Sequence, residues 1–154
     1  MKIKKANRSD LNKILALQYL AYQSEAKLLN NYSIQPLTQT LDEVEQEFEK
    51  GAFYQVVNEK EELIGSVRGF VDKETLYIGK LIVHPDYQGR GIGTALLKEI
   101  EADNSGLRQE LFTSDKSFKN IRLYERIGFV QFKTKSLTED LNLIFMEKQL
   151  DRAE

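Results

Sequence analysis

Leu81-Ile82-Val83-His84-Pro85-Asp86-Tyr87-Gln88-Gly89-Arg90-Gly91-Ile92-Gly93-Thr94-Ala95-Leu96-Leu97-Lys98-Glu99-Ile100 is the stretch on which the fold turns. An apolar run, a glycine-rich loop and an amphipathic run follow without a gap, which reads as strand, turn and helix. Gly89, Gly91 and Gly93 let the backbone approach a ligand with no Cβ in the way, and the helix start adds unpaired amides and the positive end of its dipole. The stretch is a candidate cradle for an anion.

Two common glycine loops do not match. A Walker loop closes on Lys-Ser or Lys-Thr to reach terminal phosphates, whereas Gly93 is followed by Thr94-Ala95. The dinucleotide fingerprint needs Gly-x-Gly-x-x-Gly in the first strand-to-helix turn of a doubly wound unit, and this loop lies past the middle of the chain. The remaining pattern, Gln88-x-x-Gly91-x-Gly93 after Val83-His84-Pro85, resembles the coenzyme A pyrophosphate loop of the GNAT superfamily of N-acetyltransferases. The blander alternative is a tight glycine turn into an amphipathic helix, so the flanking sequence has to decide.

Composition narrows the chemistry. The 154 residues suit one domain, with 41% hydrophobic and 30% charged residues, the balance of a soluble globular chain. No apolar run is long enough for a membrane span, and Met1-Lys2-Ile3-Lys4-Lys5 leads into no apolar segment, so a cytoplasmic location with no membrane partner is expected. The chain has no cysteine and a single histidine, His84, which leaves no thiolate nucleophile and no histidine cluster for a metal. A net charge of −2 with scattered Lys and Arg argues against a nucleic-acid partner.

Outward from the cradle, the pattern is regular. Lys2 to Ala6 reads as a short strand, and Ser9-Asp10 precedes a helix with Leu11, Ile14, Leu15, Ala21 and Leu28 at helical spacing. Tyr19, Tyr22, Gln23, Glu25, Asn30, Asn31 and Tyr32 cluster around its end, before a loop containing Pro36. They read either as helix flank and loop surface or as part of an acceptor site. Thr40-Leu41-Asp42-Glu43 is a capping box for a helix with Leu41, Val44 and Phe48 on one face, acidic residues elsewhere, and Gly51 at its end. Three alternating runs between Ala52 and Val83 read as an antiparallel meander, whose last strand carries Gly79, the mark of a bulge or a close backbone approach. The next strand, near Gln109 to Thr113, follows the cradle helix and completes a right-handed crossover, so it should lie parallel to the strand ending at Val83. A helix from Ser117 to Gly128, capped by Ser117 or Asp115, and two final strands, Phe129 to Ser136 and Leu141 to Lys148, end the pattern.

The order β-α-α-β-β-β-α-β-α-β-β is similar to the GNAT fold, an α/β architecture with a mixed sheet, and Asn120 through Tyr124 to Gly128-Phe129 matches that family's second signature. The resemblance implies a single N-acetyltransferase domain over residues 1–154 with acetyl-CoA as co-substrate and no metal. It implies that Leu81, Ile82 and Val83 pair with the pantetheine arm like an added strand. Gln88 would open the loop, and the amides of Gly89, Arg90, Gly91, Ile92, Gly93 and Thr94 would hold the pyrophosphate. Tyr124 matches the tyrosine that protonates the departing thiolate, and either Ser117 or Asn120 contacts the cofactor. The expected reaction is direct attack of an uncharged primary amine, on a small molecule or a protein, within a ternary complex. The alternative is a non-catalytic acetyl-CoA sensor. The general base stays open between a water relay, Glu74 and Glu25, while His84 reads as turn surface. The acceptor and any pairing into a homodimer are not readable from the residues.

Overall fold

A computed structural model describes residues 1–149. The elements are β1 (Lys2–Lys5), α1 (Leu11–Ala21), α2 (Gln23–Leu29), α3 (Gln35–Thr38), α4 (Leu41–Lys50), β2 (Ala52–Val57), β3 (Leu63–Asp72), β4 (Thr75–Val83), α5 (Ile92–Ala102), β5 (Arg108–Ser114), α6 (Phe118–Arg126), β6 (Val130–Thr138) and β7 (Leu141–Lys148). Among the described residues they form a mixed α/β structure around a seven-stranded sheet in the order β1-β2-β3-β4-β5-β7-β6. Only β4 and β5 run parallel, as the crossover through α5 requires; every other neighbouring pair is antiparallel. No helix among the described residues is long and apolar enough to cross a membrane.

The sheet carries a core on each face. On one, Ile92, Leu96, Leu97 and Ile100 of α5 and Tyr124 of α6 pack with Val67, Leu76, Ile78, Leu111 and Met146. On the other, Leu11, Ile14, Leu15 and Leu17 of α1 and Val44 of α4 meet Phe53 and Ile82. The capping box forms as expected: Thr40 Oγ1 accepts from the Glu43 amide at 3.2 Å, and the Thr40 amide donates to Glu43 Oε1 at 2.9 Å. Gly51 ends α4 for a different reason from the one expected. Its φ is −152°, outside the left-handed region, but a Cβ there would lie 2.0 Å from the Gly69 carbonyl oxygen, so the position is closed to side chains by packing.

Several details depart from the sequence pattern. The first long helix breaks at Tyr22 (φ −87°, ψ 2°) into α1 and α2, which shifts the helical phase: Ala26 is buried while Leu28 is exposed. Short α3 occupies the expected loop around Pro36. Neither proposed residue caps α6 by its side chain, because Asp115 accepts from Asn142 and Ser117 turns elsewhere. In β7 the alternation of Leu141, Leu143 and Phe145 does not mark the core face, which belongs to Ile144 and Met146; Phe145 lies tilted against Phe112 at 5.3 Å between ring centroids.

Candidate active site at the split between β4 and β5

The parallel ladder is short. Thr75, Leu76 and Tyr77 pair with Arg108, Gln109 and Glu110, and there the pairing stops. From Leu111 onward β5 pairs only with β7, while β4 continues to Val83 against β3 alone. Residues 78–83 thus present backbone groups that have no β5 partner, and a wedge opens toward the carboxyl ends of the two strands. The cause lies in β4 itself. Its register against β3 slips between Val67↔Leu81 and Gly69↔Ile78, which puts Gly79 and Lys80 together opposite Arg68. A Cβ at Gly79 would stand 3.2 Å from Arg68 Cγ, so the glycine makes both the bulge and the close approach that its place in a strand suggested.

The glycine loop closes the open end of the wedge. Pro85–Tyr87 form a 3-10 turn in which His84 Nδ1 accepts from the Asp86 amide at 3.0 Å, which accounts for the histidine as a turn residue. Gly89 (φ 78°) and Gly91 (φ 80°) are left-handed, and a Cβ on either would meet nothing within 4 Å. They are needed for backbone conformation, and the space beside them is open. Gly91 is the N-cap of α5, so the amides of Ile92, Gly93 and Thr94 occupy the first turn, where no helical acceptor exists. Gln88 and Arg90 are exposed, and the Arg90 guanidinium lies 4.9 Å over the Tyr87 ring.

The candidate catalytic side chains come from α6 and from the break between α1 and α2. Tyr124 is 6% exposed, its ring edge-on to Phe129 at 6.0 Å, and burial pushes its phenol well above the usual range, with the nearby Tyr22 and Glu25 adding to the rise. Tyr22 itself is half-buried at the break between α1 and α2; burial raises it to about 12, against the opposing pull of Arg68. The same break carries Glu25 to α6, where its Oε1 accepts from Ser117 Oγ at 2.5 Å across a separation of 92 residues. Ser117 is therefore engaged with a carboxylate. Asn120 is exposed on the first turn of α6.

Of the three candidates for a base, the fold brings one to this point. Glu74 sits with Lys73 in the left-handed two-residue turn before β4, some six residues or about 20 Å of strand from the bulge. Glu25 is beside Tyr124 and Ser117. The tyrosine-rich cluster divides likewise: Tyr22 and Glu25 act on Tyr124, Tyr19 Oη donates to the Gln39 carbonyl at 2.5 Å, and Gln23, Asn30, Asn31 and Tyr32 are exposed.

Arg68 and Lys80, which belong to no sequence motif, also stand at the bulge. Arg68 is 3% exposed, and its Nη2 donates to Gln18 Oε1 at 2.8 Å and Gln39 Oε1 at 3.0 Å, with Glu47 Oε1 at 3.4 Å. Lys80 is half-buried and pushed down to about 8, mainly by burial and next by the Arg68 charge. The available signal was a cation at an inward position of two otherwise apolar strands, Val67-Arg68-Gly69-Phe70 and Gly79-Lys80-Leu81-Ile82.

The profile of the Acetyltransferase (GNAT) family matches residues 15–129, so the chain belongs to the GNAT acetyltransferase family. The UPF0157 protein YqkA of Bacillus subtilis (strain 168) is 29% identical over 131 residues, which are 84% of this chain and 37% of that protein; the chain thus spans little more than a third of that relative's length. Among solved structures, the ribosomal-protein-S18-alanine N-acetyltransferase from Escherichia coli is similar with a TM-score of 0.75 at 19% identity, covering 99% of this chain and 96% of that one. An aminoglycoside 6'-N-acetyltransferase complexed with coenzyme A is similar with a TM-score of 0.77 at 18% identity, covering 100% of both chains.

Proposed function

We propose that the chain is an acetyl-CoA-dependent N-acetyltransferase, a single catalytic domain that acetylates a primary amine by direct attack in a ternary complex. The observation that carries this reading is the split itself: an unpaired strand edge at residues 78–83 leading into left-handed Gly89 and Gly91 and the bare first turn of α5. Coenzyme A needs an extended slot for its amide-containing arm and an anion cradle for its pyrophosphate. The wedge and the loop fit both needs, and the open space beside Gly89 and Gly91 leaves room for phosphate oxygens. Bound there, acetyl-CoA supplies an acetyl group activated as a thioester.

The chain's own residues then have distinct tasks. Backbone groups of Leu81, Ile82 and Val83 align the arm, and amides of residues 89–94 hold the pyrophosphate. Tyr124 is the donor for the departing thiolate: its phenol is protonated at neutral pH even at the ordinary tyrosine value, and because burial raises it further, the proton leaves only as negative charge develops on the sulfur beside it. Glu25 accepts the proton of the acceptor ammonium, directly or through water, and Ser117 is a positioning residue that fixes its carboxylate. Asn120, exposed one turn before Tyr124, is left as the α6 contact for the cofactor. Alignment of the two reactants contributes much of the acceleration.

Calorimetric titration with acetyl-CoA followed by a thiol-release screen over a broad amine panel tests the reading. Saturable binding with release for a subset of amines is the expected result. Binding without release over the whole panel would favour a sensor, and absence of binding would remove the proposal.

A further inference from the structure

We infer that the acceptor is an amine that also carries a carboxylate, with its amino group toward Glu25 and its carboxylate toward Arg68 and Lys80. This rests on the N-acetyltransferase reading for the location of the acceptor site and adds the chemistry of the substrate.

The Arg68 guanidinium, which lies 4.9 Å over the Phe53 ring, is incompletely hydrogen-bonded. Arg68 is 3% exposed, yet its hydrogen bonds all leave from Nη2, and its buried Nε has no partner among the described residues. Two of its three polar neighbours are neutral amides, Gln18 and Gln39. The third, Glu47, is 40% exposed by its side chain and also accepts from Gln39 Nε2 at 2.7 Å. A buried charge with unfilled donor sites is costly unless something completes it.

The second observation is that another cation stands beside it. The β4 bulge places Lys80 opposite Arg68, and no carboxylate lies within ion-pair distance of Lys80 among the described residues. Glu43, which acts on Lys80 at longer range, is exposed and tied into the cap of α4 through Thr40. Of the two carboxylates that act on Lys80, Glu47 is shared with Arg68 and Gln39 and Glu43 is held in the α4 cap, so neither is dedicated to the pair of cations. Pinning α1 and α4 to the sheet explains the Nη2 bonds of Arg68; it does not explain a lysine brought to the same point. A monoanion would serve both cations.

The third is the arrangement along the wedge. Tyr22 feels both the Arg68 charge and the Glu25 charge, and Tyr124 feels Tyr22 and Glu25. Glu25 is anchored to Ser117 at the start of α6, the acidic end; Arg68 and Lys80 stand at the β3–β4 bulge, the cationic end; and Tyr22, at the break between α1 and α2, is near enough to feel the charges of both Arg68 and Glu25. A molecule with an ammonium and a carboxylate is complementary to that polarity; a polyamine is not, since its second cation would face Arg68 and Lys80. Nη2 of Arg68 is taken by Gln18 and Gln39, so a carboxylate would meet Arg68 through Nε and Lys80 through its ammonium, one oxygen to each, whereas a phosphate dianion would bring twice the charge.

The test uses the full chain with an α-, β-, γ- and δ-amino acid, each against its primary amide, together with the decarboxylated amines and phosphoethanolamine. Calorimetry reads binding without acetyl-CoA, and thiol release reads turnover with it. At least one amino acid should bind and be acetylated with kcat/KM about tenfold to hundredfold above its amide, the range expected for one charged hydrogen-bonded contact. Lys80→Met should bring that ratio close to unity while Lys80→Arg keeps it; Lys80 is chosen because Arg68 also holds Gln18 and Gln39, and thermal melting confirms that each variant is folded. Equal use of acids and amides by the wild-type chain, loss of both substrates in parallel in Lys80→Met, or preference for phosphoethanolamine or a plain amine would overturn the inference. The two readings fail separately. Carboxylate-dependent binding without any acetyl-CoA binding would sink the acetyltransferase reading alone, whereas acetylation without carboxylate preference would sink this one alone.

Discussion

Replacing Gly91 by alanine separates the two things a glycine can do at the mouth of α5. Gly91 is the N-cap at φ 80°, and a Cβ there would meet nothing within 4 Å, so the substitution introduces no clash. What remains is the strain of holding an L-residue left-handed, about 1–2 kcal/mol. For a chain of 154 residues that lowers Tm by about 2–8 °C. The added methyl stands in the open space of the cradle, where it would keep a phosphate from the first-turn amides. Loss of one charge-assisted hydrogen bond should weaken acetyl-CoA binding by about tenfold to hundredfold. Thermal denaturation and calorimetric titration of the same preparation give both numbers. Gly51→Ala is the contrast: its Cβ would lie 2.0 Å from the Gly69 oxygen, far from the cradle, so stability should fall much further while the folded fraction binds acetyl-CoA normally. Wild-type acetyl-CoA affinity in Gly91→Ala, alongside the small fall in Tm, would show that the pyrophosphate does not rest on this turn.

Tyr124→Phe keeps the ring contact with Phe129 and removes only the hydroxyl, so kcat should fall by about a hundredfold with acetyl-CoA affinity unchanged; full turnover in stopped-flow thiol release would end the acid role. Glu25→Gln should lower kcat/KM by a similar factor of about a hundred, with partial recovery at high pH where more of the amine is already neutral, and Ser117→Ala should show a smaller loss; a Glu25→Gln profile that overlays the wild type would exclude it as the base. Lys80 has a folded-state value of about 8 against 10.5 for the free side chain, so between these limits the unfolded chain binds more protons and stability rises with pH. Lys80→Met should therefore be more stable than wild type at neutral pH and lack that rise. Denaturant melts at about pH 7 and about pH 9.5 check this, and equal slopes for the two proteins would contradict the burial of the lysine charge.

Local rules carried a good part of the structure. The Thr40 and Glu43 box, the strand-loop-helix unit around residues 81–100 and the bulge at Gly79 each depend on residues close in sequence, where hydrogen bonding and backbone freedom act directly. Misses came where distant groups compete. Ser117 looks like a helix cap, but a carboxylate 92 residues earlier takes its hydroxyl. Leu28 continues the spacing of α1, but the break at Tyr22 rotates the next helix and buries Ala26 instead. Gly51 looks like a left-handed stop, but the neighbouring strand decides it.

The sequence by itself determined the proposed donor side: an apolar strand, Gln88-Gly89-Arg90-Gly91-Ile92-Gly93 and a helix start are contiguous, so chain connectivity alone brings amides and strand edge together. The proposed acceptor side is decided only in three dimensions. Arg68 and Lys80 come from different strands and meet because a bulge slips one against the other, while Glu25 and Ser117 meet because a helix breaks at Tyr22. Charges buried at such junctions are selected by the groups they face, and those partners lie too far along the chain for any local pattern to record them.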